Sequence, residues 1–225
     1  MNCQYCNKEI FDISFKCMHC GTLLNPSYYI SNTENKVLMA KARESLRGYW
    51  GMAAVAYLVV VVIQTIPQMV PVIGTLITLL ISGSMTTGIC IFFLSISRKQ
   101  ITNFNQIFEG FNIFFKALGV YFLVCLFTLL WALLFIIPGI IALLSYSMVF
   151  YILADNKNIG IMETLKTSKE IMNGNKWKLF CLYLRFFGWF LLGVLTCGIA
   201  FFWIFPYMLI SVAKFYDDAT KKYPV

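Results

Sequence analysis

The stretch ALGVYFLVCLFTLLWALLFIIPGIIALLSYSMVFYILA, residues 117–154, carries no Asp, Glu, Lys, Arg or His in 38 consecutive positions. About 20 apolar residues already cross a bilayer. As one helix the run would reach about 57 Å at 1.5 Å per residue, nearly twice a hydrocarbon core of about 30 Å, so it must fold back on itself. Pro138-Gly139 is the natural turn, because proline ends a helix and glycine accepts the backbone of a tight reversal. The middle of the chain is therefore a hairpin of membrane helices.

The same reasoning applied outward gives two more hairpins. Pro67 to Pro71 breaks the apolar run before this one, and Thr196-Cys197-Gly198 the run after it. The expected spans are 49–66, 72–97, 117–137, 139–154, 177–197 and 199–215. Composition agrees: 60% hydrophobic and 12% charged residues exclude an ordinary soluble domain, for which about 45–50% and about 25% are usual. The formal charge of +8 is then topological and does not point to nucleic acid. Of 18 Lys and Arg, 17 fall before span 1, between spans 2 and 3, between spans 4 and 5 or at the entry of span 5, or at the C-terminal end from Lys214 on, and none in the opposite turns. The positive-inside rule places both termini in the cytoplasm and the protein in the cell membrane as a multi-pass chain. Almost nothing remains outside to act as a receptor for extracellular ligands.

Each hairpin is preceded by a short amphipathic stretch, a glycine and an aromatic entry: Glu44 to Trp50, Gln106 to Phe115 and Lys169 to Trp177. Gly48, Gly110 and Gly174 recur at similar spacing, which suggests three repeats of interfacial helix plus hairpin. Residues 25–48 read as a linker and an interfacial helix in which Asn35 is a candidate cap. Asn158 to Gly174 should lie along the membrane surface in the same way, Ile161, Met162, Leu165, Ile171 and Met172 alternating with Glu163, Lys166, Lys169 and Glu170 at helical spacing.

Ahead of the spans, Cys3, Cys6, Cys17 and Cys20 form C-x2-C-x10-C-x2-C. Two such knuckles can close a tetrahedron around one Zn2+ at about 2.3 Å per sulfur. Asn7 and Gly21 follow the second cysteine of each knuckle, where the chain must turn sharply. The segment holds too few apolar residues to fold without a metal or disulfides. Two disulfides are the alternative, disfavoured in a reducing cytosol; His19 reads as an exposed loop residue. Four thiolates leave no open position, so the zinc is structural, and without a basic patch no nucleic acid is expected.

Within the spans, the candidate functional residue is Arg185, the one formal charge inside an apolar run. It either snorkels to the headgroups or holds a lipid phosphate or Asp155 at the end of span 4. In span 2, Gly74, Thr78, Ser82 and Thr86 form a small-residue ridge, as do Ser84 and Gly88, suited to close helix packing or to lining a conduit. Pro206 should kink span 6. Cys90, Cys125, Cys181 and Cys197 read as packing residues. No catalytic residues can be assembled around a single histidine, so no enzyme is expected.

Residues Cys3-Gln4-Tyr5-Cys6-Asn7 and Phe15-Lys16-Cys17-Met18-His19-Cys20-Gly21 resemble the short bacterial zinc ribbons, with the usual prolines missing and Asn for the first glycine. Residues of the membrane part resemble the family DUF975, bacterial integral membrane proteins of unknown function. The likeness lies in Ala117-Leu118-Gly119-Val120-Tyr121, Ile137-Pro138-Gly139-Ile140-Ile141, Tyr151-Ile152-Leu153-Ala154-Asp155, Asn173-Gly174-Asn175-Lys176-Trp177 and Phe205-Pro206-Tyr207. That resemblance implies no catalytic residues. More distantly the membrane part is similar to the region accompanying some glycerophosphodiester phosphodiesterases, whose hydrolase domain is absent here.

The expected fold is an all-α polytopic membrane bundle, six transmembrane helices as three hairpins with interfacial helices, plus a small N-terminal zinc ribbon. Its parts are the ribbon (1–24), the linker and interfacial helix (25–48), the bundle (49–216) and a cytoplasmic tail (217–225). The expected function is a scaffold or regulator that binds membrane lipids or membrane proteins while the ribbon recruits a cytosolic partner. The alternative is a small-molecule or ion transporter or channel.

Overall fold

The computed structural model describes residues 31, 33–70 and 72–220, and all regular structure among them is helical. Helices α1 (Asn35–Ser45), α2 (Trp50–Thr65) and α3 (Ile73–Ser97) form a first unit. The 3-10 segment Phe104–Ile113, α4 (Phe114–Leu134), α5 (Ile136–Tyr146) and α6 (Val149–Asp155) form a second. Helices α7 (Ile161–Ile171), α8 (Lys176–Leu195) and α9 (Phe201–Thr220) form a third. The Cys3, Cys6, Cys17 and Cys20 ribbon and residues 221–225 lie outside the described residues.

The joints between interfacial and long helices repeat. Gly48 and Gly174 take left-handed backbones, φ +86° and +80°, which glycine adopts without a Cβ penalty. Around both, the same two hydrogen bonds form. The amide after the glycine donates to the carbonyl two residues before it (Tyr49 to Leu46, 2.9 Å; Asn175 to Met172, 3.2 Å). The amide before it donates to a glutamate carbonyl three residues back (Arg47 to Glu44, 3.1 Å; Asn173 to Glu170, 3.0 Å). The middle unit departs from this, and Gly110 serves a different purpose there. A Cβ on Gly110 would stand 1.9 Å from the Ser84 carbonyl oxygen, and one on Gly88 would stand 1.8 Å from that of Ile107. The 3-10 segment therefore lies backbone to backbone against α3.

Packing turns the three units into a closed ring. Each outer long helix lies between its own partner and the preceding unit's inner helix: α2 touches α3 and α9, α4 touches α5 and α3, and α8 touches α9 and α5. The interfacial elements follow the same rule, with α1 on α9, the 3-10 segment on α3 and α7 on α6. At the centre α3 packs on both α6 and α9. The repeat suggested by the glycine spacing is thus present in the packing.

Among the described residues five stretches are long and apolar enough to cross a membrane: Trp50–Met69, Ile73–Ser97, Phe104–Leu134, Ile136–Asp155 and Lys176–Leu195. Six spans are expected from the sequence; α9 is not among these five stretches, because it carries Lys214, Asp217 and Asp218 into its last two turns. It also runs on to Thr220, through the position where a tail was expected from residue 217. The reversal in the middle hairpin falls at Phe135 (φ −159°, ψ 149°) and not at Pro138-Gly139. Pro138 sits in the first turn of α5, where a missing N–H costs no helical bond. Gly139 allows α5 to cross α4 closely, since its Cβ would stand 2.8 Å from Ala132 Cα. Asn35 does not cap α1. It is the first helical residue, and its Nδ2 donates to the Lys178 carbonyl at 3.0 Å.

Of the small-residue ridge of α3, Gly74, Ser82, Ser84 and Gly88 are buried and Thr78 and Thr86 half-buried, and beside it Gly83 faces the Ala117 backbone, so this face serves packing. Of the span cysteines only Cys90 is buried, whereas Cys125 and Cys197 are exposed, so packing accounts for the first alone. The ring's outer surface and hairpin tips are apolar: Leu133 is 83% and Leu195 82% exposed, an arrangement unfavourable in water and natural against acyl chains.

Candidate functional site at the charged end of the bundle

The three inner helices each end in a charged residue at one end of the ring: Arg98 just after α3, Asp155 at the last position of α6 and Asp217 in the last turn of α9. The fold brings these three together. Arg98 Nη1 donates to Asp155 Oδ1 at 2.6 Å and its Nη2 to Asp155 Oδ2 at 3.3 Å. The other edge of the same guanidinium, Nε and Nη2, donates to Asp217 Oδ1 at 3.1 and 2.7 Å. The three side chains are 7%, 5% and 2% exposed. Tyr216 Oη donates to Asp155 Oδ2 (3.1 Å) and Ser97 Oγ to Asp217 Oδ2 (3.2 Å), while Lys214 Nζ donates to the Ser97 carbonyl. Tyr151 of α6 stacks on Tyr216 of α9 with ring centroids 5.8 Å apart.

Counted with Lys214, this knot has two cations and two anions, so charge is balanced where water is excluded. An arginine is suited to the centre because its planar fork engages two carboxylates at once, which an ammonium cannot. Burial acts to lower the Arg98 pKa, but the two carboxylates outweigh it and hold it above its ordinary value. Burial pushes the Asp217 carboxyl up, against the pull of Arg98. Its neighbour Asp218 behaves oppositely. Burial opposes its charge too, yet hydroxyl donation from Ser31 and Thr33 (the latter 2.5 Å) and the Lys178 ammonium at 3.4 Å hold it below the usual carboxylate range.

Asp155 thus meets Arg98 and Tyr216. Arg185, the other member of the pair considered from sequence, stands elsewhere: no ion pair joins the two among the described residues. It lines an open groove of about 390 Å³ between α1, α8 and α9, with Lys36, Met39, Ala40, Arg43 and Tyr207. Tyr207 Oη donates to the Met39 carbonyl (3.2 Å), the Arg43 guanidinium lies 5.6 Å from the Tyr207 ring centroid, and Phe186 meets that ring edge-on at 5.2 Å. By sequence position Arg98 is one of the charges between spans 2 and 3, and Lys36 and Arg43 are among those before span 1. The signal available was that Arg98, Asp155 and Asp217 end the inner helices of three like units. Among the described residues no cluster of His, Cys, Asp or Glu is arranged to hold a metal.

The model of the family described as "Protein of unknown function (DUF975)" matches residues 32–145 and 133–223. The chain belongs to this family. The matched residues of this DUF975 chain contain the knot and the groove, and the four N-terminal cysteines precede them. No curated protein and no solved structure matches it.

Proposed function

We propose that the protein is an integral membrane scaffold or regulator, anchored by its helical ring with the charged end facing the cytoplasm. The observation that carries this reading is the knot. One arginine joins the inner helices of all three units, and the interfacial elements dock on those same helices, so the charged end is a fixed platform. Residues 31 and 33 are tied to it through Asp218, and the segment bearing the four cysteines leads into that point. In this reading Cys3, Cys6, Cys17 and Cys20 hold one structural Zn2+, and the ribbon recruits a cytosolic partner to the platform. The role is not catalytic.

The test is affinity purification of the full chain in mild detergent, beside a Cys3→Ser/Cys17→Ser variant. One zinc per chain and a co-purifying cytosolic protein are expected, both lost in the variant while the bundle keeps its melting temperature. A zinc-free protein, or a partner retained by the variant, contradicts the reading. One observation favours transport instead: charged groups buried where the inner helices converge sit where a gate would close. Arg98→Gln would then raise solute or ion flux in proteoliposomes, whereas the scaffold reading expects no flux in either form.

A further inference from the structure

Lys36, Arg43 and Arg185 are all exposed, all line the groove between α1, α8 and α9, and none has an acidic partner among the described residues. No carboxylate lines that groove. Four other cations of the bundle do meet acids: Lys99 meets Glu44 at 3.4 Å, Lys157 meets Glu109 at 2.6 Å, Lys178 meets Asp218 and Arg98 meets two. Three like charges gathered without compensation repel one another unless an anion sits between them. The rest of the lining is apolar: Met39, Ala40 and the face of Tyr207, itself held in place by Met39, Trp50 and Phe186. Cationic rim and apolar floor match a ligand with a charged head and an apolar body.

Position along the helices narrows the ligand. Arg185 lies nine residues beyond Lys176 within an apolar candidate span, about 14 Å along α8 at 1.5 Å per residue. From that depth the long Arg185 side chain can reach back along the apolar wall toward the headgroup level, where lipid phosphates reside and a free anion would have no apolar body to fill the groove. Arginine also suits phosphate through bidentate, charge-assisted hydrogen bonds.

We infer that this groove binds the phosphate headgroup of an anionic membrane phospholipid, with Arg185 and Arg43 on the phosphate and Lys36 at the mouth. The assignment deepens the membrane-scaffold reading and rests on its claim that the ring is embedded in the bilayer. The bound lipid would join α1 to α8 and α9, so that the interfacial helix ahead of the first hairpin is fixed to the last one only where anionic lipid is present.

The experiment uses the full chain in neutral detergent and reads its melting temperature and, by native mass spectrometry, retained lipid. The probes are phosphatidylglycerol, phosphatidylcholine and inorganic phosphate. Phosphatidylglycerol should raise the melting temperature and remain bound at one per chain, and phosphatidylcholine should do neither. Arg185→Gln and Arg43→Gln should each weaken lipid affinity about tenfold, while Lys99→Gln, an exposed charge outside the groove, should leave it unchanged. If Arg43→Gln disturbs folding through its lost ring contact, Lys36→Gln stands in its place, with about fivefold weakening expected for one basic residue near a lipid surface. Equal effects of the two lipids, or full retention in an Arg185→Gln/Lys36→Gln variant, would overturn the site. An equal shift with inorganic phosphate would overturn the lipid as its source. Resistance to carbonate extraction, measured on the same membranes, reports embedding separately, so a protein that is embedded but binds no lipid refutes the groove and not the scaffold.

Discussion

Arg98 is the residue on which the charged end depends, because it bonds both Asp155 and Asp217. Removing one member of a buried ion pair costs about 3–5 kcal/mol, since the other charge is left without compensation. Arg98→Leu is therefore expected to lower stability by that order in detergent melts, and Arg98→Lys by nearly as much, for want of a fork. A double-mutant cycle adds detail: Asp155→Asn should cost much less in the Arg98→Leu background than alone, and additive losses would deny the coupling. The paired acids make a pH prediction of opposite signs. Asp218 is held below its ordinary value, so its contribution is present above the unfolded-state pKa near 4 and lost as pH falls through the folded one. Asp217 is held above it, so its contribution is full below about 4 and lost as pH rises through the folded value. The stability gap between wild type and Asp218→Asn should accordingly close on acidification from about pH 5, while the acid limb of Asp217→Asn should fall more steeply than that of wild type. These residues were illegible as a site in the sequence because their partners are 57 and 119 positions apart, and no local pattern marks such a pair.

At the level of elements, glycines that permit contact can be separated from those that do not. Gly88→Ala and Gly110→Ala would each drive a Cβ into backbone oxygen, where no side chain can swing aside. Each should destabilise by about 1–3 kcal/mol or more. Gly51→Ala, with nothing within 4 Å of the added carbon, should be neutral or stabilise by about 0.5–1 kcal/mol. Thermal melts of the three variants check this, and equal losses would mean that the 3-10 segment does not lie on α3. Helix positions were legible to within a few residues because apolar run length is a property of the chain itself. The reversal at Phe135 was not, because Pro138 can be read as a turn or as a first-turn residue, and only the crossing of Gly139 on Ala132 decides between them. The burial of Asp217 in α9 was not legible either, because it depends on Arg98 of a distant unit.

For the whole molecule, the closed ring of three units makes one demand. All inner helices must end on the same side, since Arg98, Asp155 and Asp217 meet there, and every hairpin tip must lie on the other. In the proposed topology the charged side faces the cytoplasm, as the one-sided distribution of Lys and Arg favours, and the hairpin tips, apolar and exposed, lie in the far leaflet. The proposed recruitment of a cytosolic partner and the proposed lipid groove both depend on this arrangement. The direct measurement is cysteine substitution at Gln68, Lys99 and Lys166 in a background without native cysteines, with labelling of intact cells by an impermeant maleimide. Gln68→Cys at a hairpin tip should be labelled, and Lys99→Cys and Lys166→Cys should react only after the cells are opened. Labelling of Lys99→Cys or Lys166→Cys in intact cells would contradict the arrangement.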